Sequence, residues 1–195
     1  MSNKGRTVGL FSFGNTKLPR TTAIFNMSSA TDCRASRKGL CQLKNINKCY
    51  ARKAEIQYPP VLPFRRRQEE FWSKCTAHSF ISKLLECSRT IPITHLRLNE
   101  AGDFKTQRCV GKAVKIAKIL KDRYDITTYC YTARIDLDFT KRGPLVINGS
   151  NFMVDNKYSI TYTDIKQGEP KCIMNCRLCD LCAQKGRKVI KVKLH

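Results

Sequence analysis

The sequence lacks the short motifs that identify most nucleotide-dependent and metal-dependent hydrolases. It contains no Walker A phosphate loop, no glycine-rich dinucleotide fingerprint and no H-E-x-x-H zinc motif. Its histidines, His78, His95 and His195, are isolated from one another in the chain. A function built on one of these motifs is therefore not expected.

Long apolar runs are also missing. No stretch of 18 apolar residues occurs, so we expect no membrane-spanning helix and no membrane partner. Residues 1–6 are polar and no apolar segment follows them, so we expect no secretory signal and a location in a reducing cytoplasm. Thiols in that compartment bind metal more often than they form disulfides.

Acidic residues are scarce. The chain has 15 Asp and Glu against 37 Lys and Arg, which gives a net charge of +22. Such a charge attracts polyanions, nucleic acid first, although general solubility is the alternative explanation. Arg65, Arg66 and Arg67 lie in the first turn of a predicted helix, where the helix dipole disfavours cations. We therefore predict that they bind nucleic acid; a solvated basic face is the alternative.

Cysteine, in contrast, is abundant, with 11 in the chain. Four of them follow the pattern C-x3-C-x2-C-x2-C, namely Cys172, Cys176, Cys179 and Cys182. Steps of this length let the chain curl round one centre and point every sulfur inward. The centre is either a zinc ion held by four thiolates or an iron–sulfur cluster. The spacing predicts a metal site and leaves the metal open.

A second series, Cys33, Cys41 and Cys49, has the longer spacing C-x7-C-x7-C. We predict that it also binds metal, and three unrelated thiols are the alternative. Three thiolates would leave one iron of a [4Fe-4S] cluster without a protein ligand, and a small molecule would bind there. Cys130, on a predicted strand, would close that position if it were a fourth ligand.

Hydrophobic periodicity predicts an α/β fold. Strands are predicted over residues 7–13, 21–27, 93–98, 125–131, 144–148 and 188–194, and helices over 48–57, 64–88 and 106–121. Strands that alternate with crossover helices form parallel sheets. We predict an α/β domain over residues 1–165, followed by a cysteine-rich metal-binding segment and a terminal edge strand over 166–195.

Polar residues follow two of the predicted parallel strands, where the sites of such sheets usually lie. They are Asn99, Glu100, Asp103, Thr132 and Arg134. Glu100 and Asp103 are the candidate catalytic residues, as a general base or as an anchor for an amino or hydroxyl group of a ligand. The alternative is that they precede a helix, where an acid is stabilised in any case. Arg134 is predicted to contact the cofactor.

Several segments together resemble a known family. They are residues 21–27, the cysteine series that ends at 49–51, residues 96–104, residues 129–134 and the closing cysteine group. This combination resembles the bacteriophage family called gene product 88, which is itself similar to radical-SAM proteins. The resemblance implies a partial radical-SAM-like (β/α) barrel with a C-terminal metal-binding appendage.

The same resemblance implies roles for the cysteines. Cys33, Cys41 and Cys49 would hold a [4Fe-4S] cluster that binds S-adenosylmethionine, and the C-terminal four would hold a second cluster. We expect an iron–sulfur protein of the host cytoplasm, and a radical-SAM-like enzyme that acts on nucleic acid or a nucleotide if it is an enzyme. The alternative is a non-catalytic zinc or iron–sulfur protein that binds nucleic acid or a host protein.

Overall fold

The computed structural model describes residues 6–43, 45–161, 165, 168 and 171–193, and its strands form one mixed sheet. The strands are β1 (Arg6–Val8), β2 (Phe11–Phe13), β3 (Thr22–Phe25), β4 (His95–Leu98), β5 (Thr127–Thr132), β6 (Val146–Ser150), β7 (Asn156–Thr161) and β8 (Val189–Lys193). They pair in sequential order, antiparallel from β1 to β3 and parallel from β3 to β8. Within the described ranges no pairing joins β1 to β8, so the sheet is open.

Five α-helices in the described part of the chain accompany the sheet, which confirms the mixed α/β class. They are α1 (Arg34–Arg37), α2 (Tyr50–Gln57), α3 (Val61–Lys74), α4 (Ala77–Cys87) and α5 (Gln107–Tyr124). Short 3-10 helices lie at Ile46–Lys48 and Leu181–Ala183. None of the helices in the described part of the chain is both long and apolar enough to cross a bilayer.

The main core lies between the sheet and helices α3, α4 and α5. Side chains alternate between the faces of a strand, so Leu96 and Leu98 point to the same side. These two leucines pack with Phe25, with Phe80 of α4 and with Ile116 of α5. Phe80 meets Phe25 edge to face, with their ring centroids 4.8 Å apart. Burial of these large apolar side chains holds the helices on one face of the sheet.

The opposite side of the sheet, here called the inner face, carries polar and aromatic side chains. Arg97 alternates with Leu96 and Leu98 on β4, and it pairs with Tyr129 of β5 in the parallel register. Tyr131 follows on β5 and pairs with Asn148 of β6. Because these residues point away from the helices, the inner face is the part of the fold that is available for a polar site.

Two predicted elements are each split in the structure. The predicted strand over residues 7–13 is a hairpin of β1 and β2, with Gly9 in the left-handed region at φ +58°. The predicted helix over residues 64–88 is α3 followed by α4. Thr76 begins α4 with a capping box, in which its hydroxyl accepts from the Ser79 amide at 3.1 Å and the Ser79 hydroxyl accepts from the Thr76 amide at 2.9 Å. Because this capping box starts a new helix, the chain forms two helices although the apolar stripe predicted one continuous helix.

The sequence patterns missed β7, whose residues are mostly half-buried and do not alternate clearly between apolar and polar. This strand pairs in parallel with β6 on one side and β8 on the other. The predicted terminal strand over residues 188–194 corresponds to β8, with residue 194 outside the described residues. The predicted domain boundary at 165/166 falls where residues 162–164, 166 and 167 are not described, but β8 joins the same sheet as the rest of the chain.

Candidate metal centres

Four cysteines meet at one cavity beside the inner face. The cavity has a volume of about 90 Å³, several times what one ordered water needs, and it is lined by sulfur, aromatic and small side chains. All four residues of the predicted C-terminal series, here called the C-terminal thiol group, line it: Cys172, Cys176, Cys179 and Cys182. His95, Tyr129 and Tyr131 of the sheet close its other side. The structure thus brings the series together round one space.

Buried amides fasten the C-terminal thiol group to the sheet. Asn148, which is fully buried, donates to the Cys182 carbonyl at 2.9 Å and to the Cys130 carbonyl at 3.0 Å. Asn156, also fully buried, donates to the Gln184 carbonyl at 2.8 Å. On the other side, the Cys176 amide donates to the Lys17 carbonyl in the β2–β3 loop at 3.0 Å. The segment is therefore held against the sheet at both of its edges.

Burial and the neighbouring groups shift the pKa values of these thiols in opposite directions. Burial raises the pKa of Cys182 to about 11, although a hydrogen bond from the Tyr131 hydroxyl favours the thiolate. Burial also raises the pKa of Cys176, against the positive charges of Arg97 and Lys17. A bound cation would reverse the effect of burial, since metal ligation deprotonates thiols outright. The neighbouring cations and the hydroxyl donor are suited to stabilising the negative charge of metal-bound sulfur.

The predicted N-terminal series lies in the loops that follow β3. Cys33 occupies the N-cap of α1, and Cys49 occupies the N-cap of α2. Cys33 interacts electrostatically with Cys41 and with Asp103, and burial raises its pKa to about 12. Cys49 packs against Ala30 and the β4 loop residue Ala101. These three cysteines, the N-terminal thiol group, thus lie at the carboxyl ends of the parallel strands.

None of the 11 cysteines, all of which lie in the described part of the chain, forms a disulfide. Among the described residues, no three or more Cys, His, Asp or Glu side chains are grouped as ligands of a single metal ion. Cys130, the predicted alternative ligand, is fully buried in the apolar core with Leu98 and Ile147. It faces the helices, and it interacts electrostatically with Asp103, as Cys33 of the N-terminal series also does.

Glu100 lies in a partly open polar site at the end of β4. Its carboxylate accepts from the Asn15 amide at 2.9 Å and lies 3.8 Å from the Arg97 guanidinium. Tyr50, the residue after Cys49, donates from its hydroxyl to the Glu100 carbonyl at 2.5 Å. The side chain of Glu100 keeps 23% of its surface exposed, so a ligand can still reach the carboxylate.

A chain of contacts through the inner face connects the two thiol groups. It begins where the Tyr131 hydroxyl meets the Cys182 sulfur. The Arg97 guanidinium stacks over the Tyr131 ring, with its central carbon 5.0 Å from the ring centroid. Arg97 then approaches Glu100, whose carbonyl binds Tyr50 beside Cys49. One polar path thus runs from the C-terminal to the N-terminal thiol group.

Asp103, the other candidate catalytic acid, has a structural position. It is only 4% exposed, and its carboxylate accepts from the Thr132 hydroxyl at 2.6 Å and from the Ala133 amide at 2.7 Å. Burial raises its pKa to about 6 despite these hydrogen bonds. The side chain therefore braces the β4 loop against the end of β5, with both of its oxygens already in use.

Arg134 was predicted to contact a cofactor, but its guanidinium is also hydrogen bonded within the protein. Its side chain is 3% exposed and pairs with Asp136 at 2.7 Å. It also donates to the carbonyls of Phe104 and Lys105. These partners satisfy the guanidinium within the loops that follow β4 and β5.

Asn99, in contrast, is buried without partners for its side chain. It is 4% exposed and adopts a left-handed backbone conformation at φ +60°. Both polar atoms of its amide are buried, and among the described residues neither has a hydrogen-bond partner. An unsatisfied buried amide is costly, and this one directly precedes Glu100 in the loop after β4.

The three consecutive arginines of α3 separate into different environments. Arg65 is 6% exposed and pairs with the buried Glu55 at 2.8 Å, so it is an interior residue and does not belong to the predicted nucleic-acid surface. Arg66 is exposed and lies 3.3 Å from Asp32. Arg67 is exposed over the ring of Phe64. Helical geometry explains the difference, because neighbouring residues project about 100° apart.

Comparison with known families gives a match over most of the chain. The family model of gene product 88 matches residues 5–182, which include both thiol groups and every strand from β1 to β7. The chain belongs to the gene product 88 family. Neither a curated protein nor a solved structure matches it. The family is that of a bacteriophage gene product.

In this gene product 88 protein, the sequence patterns did not single out the residues that lie between the two thiol groups. Arg97, Tyr131 and Tyr50 were not among the predicted site residues, although they make the path described above. The available signal was Arg97 itself, a charged residue in the middle of a short strand with Leu96 and Leu98 on either side. Such a residue must point away from the core and towards polar partners.

Proposed function

We propose that this chain is an iron–sulfur protein with a partial radical-SAM-like (β/α) barrel, and that it acts on nucleic acid or a nucleotide. Its C-terminal thiol group would hold one [4Fe-4S] cluster. Its N-terminal thiol group would hold a second cluster, with one iron left for S-adenosylmethionine. The family match and the sequential parallel strands β3 to β8 support this proposal.

The position of all four residues of the C-terminal thiol group in the lining of one cavity carries the proposal. The donor set fits an iron–sulfur cluster, since thiolates are its usual ligands. Tyr131 provides a hydrogen-bond donor for a ligand sulfur, and Arg97 and Lys17 provide positive charge. Hydrogen bonds and charges of this kind tune the reduction potential of a bound cluster.

The residues near the N-terminal thiol group fit a polar small molecule. The Glu100 carboxylate is accessible and would bind an amino or hydroxyl group, while Asn99 offers an unused donor and acceptor. Asn15 and Tyr50 fix the position of the Glu100 loop. A bound cluster and S-adenosylmethionine would supply the one-electron chemistry there, and the protein would supply binding and orientation.

The nucleic-acid part of the proposal rests on charge. The net charge of +22 favours a polyanionic partner, and Arg67 is an exposed cation on α3. Arg66 adds a second exposed guanidinium beside it. A host protein is the competing partner, and it becomes the better explanation if neither DNA nor RNA binds at about 50 mM salt.

Anaerobic purification followed by iron, sulfide and zinc analysis tests the proposal. We expect about eight irons and eight sulfides per chain for two cubane clusters. Equilibrium dialysis with S-adenosylmethionine then tests the open iron. Zinc without iron would contradict the proposal and support a non-catalytic metalloprotein.

A cysteine substitution tests whether the C-terminal thiol group, and not another thiol, holds a metal centre. Cys176→Ala should remove one metal centre and lower the melting temperature, because the energy of a metal site is also folding energy. Cys87→Ala is the matched control, since Cys87 lies in the apolar core and should leave the metal content unchanged. Equal metal content in Cys176→Ala and in the wild type would overturn the assignment.

A further inference from the structure

A second group of reactive side chains lies where the end of α3 meets the start of α5, on the helix side of the sheet. Cys75 is the C-cap of α3, and Cys109 lies in the first turn of α5. Lys112 of α5 donates to the Trp72 carbonyl at 2.5 Å and to the Cys75 carbonyl at 2.7 Å. Its ammonium also sits 4.8 Å from the Trp72 ring centroid. The proposed metal chemistry uses none of these residues.

Hydrogen-bond donors surround the Cys109 sulfur. The Thr106 hydroxyl, at the N-cap of α5, donates to it across 3.6 Å. Trp72 is only 3% exposed, and its buried indole N–H has no full hydrogen-bond partner among the described residues; the Cys109 sulfur is the acceptor that it faces. An indole N–H with no better acceptor stabilises negative charge on this sulfur, because leaving it unpaired is costly.

The position in the helix adds to this effect. Helix α5 has 18 residues, and its first turn presents free backbone N–H groups and the positive end of the helix dipole. Cys109 is half-buried as a residue, in contrast to the fully buried Cys130. Thiols at helix N-termini beside cations are those that react as thiolates.

The charged residues next to Cys109 in the chain are cationic. Arg108 precedes it and Lys112 follows one turn later on α5, while the Lys105 ammonium is paired with Glu69. Burial alone would raise the pKa of Cys109, but hydrogen bonds from Trp72 and Thr106 outweigh it and lower the pKa. Cys75 differs, since burial raises its pKa even though Lys112 is near. The thiols of Cys109 and Cys75, both near the Trp72 indole, therefore have pKa values that are shifted in opposite directions.

We propose that Cys109 is a nucleophilic modification site that takes soft carbon electrophiles. In the reaction, the thiolate attacks the electrophilic carbon, a sulfur–carbon bond forms, and the bond to the leaving group breaks. The leaving group departs with the electron pair, as iodide does from iodoacetamide. No oxidant or metal takes part, so the proposal is independent of the metal centres.

Limited alkylation of the folded protein tests the proposal. The purified protein is treated with a small amount of iodoacetamide, quenched, and mapped by mass spectrometry of its peptides. We expect Cys109 to be alkylated at least about threefold faster than Cys75, with a pH midpoint below the ordinary thiol pKa of about 8.5. Equal rates at the two cysteines, or a midpoint at or above the ordinary value, would overturn the proposal.

A pair of variants tests the role of the hydroxyl donor. Thr106→Val should raise the pKa of Cys109 and slow its alkylation below the midpoint by roughly threefold for each pKa unit, because a more basic thiolate is scarcer but more nucleophilic. Thr106→Ser keeps the hydroxyl and should retain the wild-type rate. An unchanged pH profile in Thr106→Val would contradict the proposed stabilisation, whereas a structural role alone would not move that profile.

Discussion

Two acids in the same loop, Glu100 and Asp103, differ in what their surroundings allow. Glu100 keeps part of its carboxylate surface exposed beside an unsatisfied amide at Asn99. Asp103 is buried, and its oxygens are already hydrogen bonded to the end of β5. The sequence placed both acids correctly after β4, but it could not separate them because burial depends on the neighbouring loops. Glu100 is therefore the stronger candidate for ligand binding.

The burial of Asp103 has a consequence for stability against pH. Its pKa in the folded protein is raised from 3.8 to about 6, so between these values the folded state binds the proton more tightly than the unfolded state. The contribution of this group to the free energy of unfolding is present at low pH and falls, by about 3 kcal/mol at most, as the pH rises through this window.

Comparison of the wild type with Asp103→Asn should isolate the contribution of Asp103 to the pH dependence of the free energy of unfolding. The wild type should lose stability relative to the variant between pH 4 and pH 6.5, and urea unfolding at both pH values measures the difference. Other carboxylates cancel in this comparison. A difference that is the same at both pH values would show that folding does not raise the pKa of Asp103.

The ion pair between Glu55 and Arg65 should be important for the fold around the N-terminal thiol group. Glu55 also accepts from the backbone amides of Ala30 and Thr31, so it ties α2 and α3 to the loop before Cys33. Glu55→Ala would leave the Arg65 charge buried without its partner. We expect a loss of about 3–5 kcal/mol in the free energy of unfolding.

Urea unfolding measures that loss, with Glu70→Ala as the control. Glu70 forms an exposed pair with Lys74 on α3, so its loss should lower the free energy of unfolding far less than the loss of Glu55. Similar values for the two variants would mean that the buried pair does not stabilise this region.

At the scale of elements, local patterns identified most of the sheet. The predicted strands at 21–27, 93–98 and 125–131 appear as β3, β4 and β5, because their apolar runs are buried by the helices. Strand β7 was not predicted. Its residues are half-buried, and pairing with β6 and β8 holds them in the sheet, whereas packing of an apolar face on the core does not. The spacing of the C-terminal cysteines predicted one shared site, and all four residues line one cavity, although among the described residues no three ligand side chains are grouped round a single metal position. The path through Arg97 and Tyr131 needed the register of the strands.

The contact between the β3 and β4 loops depends on Gly102. This glycine has φ +71°, and a Cβ there would lie 2.4 Å from the Ser28 carbonyl oxygen. Gly39 has a similar φ of +69° with nothing within 4 Å, so it isolates the conformational cost. Gly39→Ala should cost about 1 kcal/mol, and Gly102→Ala clearly more, because the two loops must also separate. Thermal unfolding of both variants measures this, and equal costs would contradict the close approach.

At the scale of the whole molecule, the positive charge should control binding to nucleic acid. The observed affinity should fall linearly with salt on a logarithmic scale. Changing Arg66 and Arg67 together to Ala should reduce the slope by up to about two, one for each phosphate that is no longer neutralised. Lys74 and Lys83, which pair with Glu70 and Glu86, form the control pair, and their joint change to Ala should have a smaller effect. Equal slopes for the wild type and the α3 variant would place the nucleic-acid surface elsewhere.

The hydrogen bond between Cys176 and Lys17 joins parts of the chain that the ribosome makes far apart in time. At about 5–20 residues per second, the β2–β3 loop waits on the order of ten to thirty seconds for its partner. During this interval the N-terminal thiols have emerged while the inner face is still uncovered. The cavity round the later cysteines therefore exists only after its last lining residue, Ile190, has been synthesised, so a metal that bound there would be loaded late in folding.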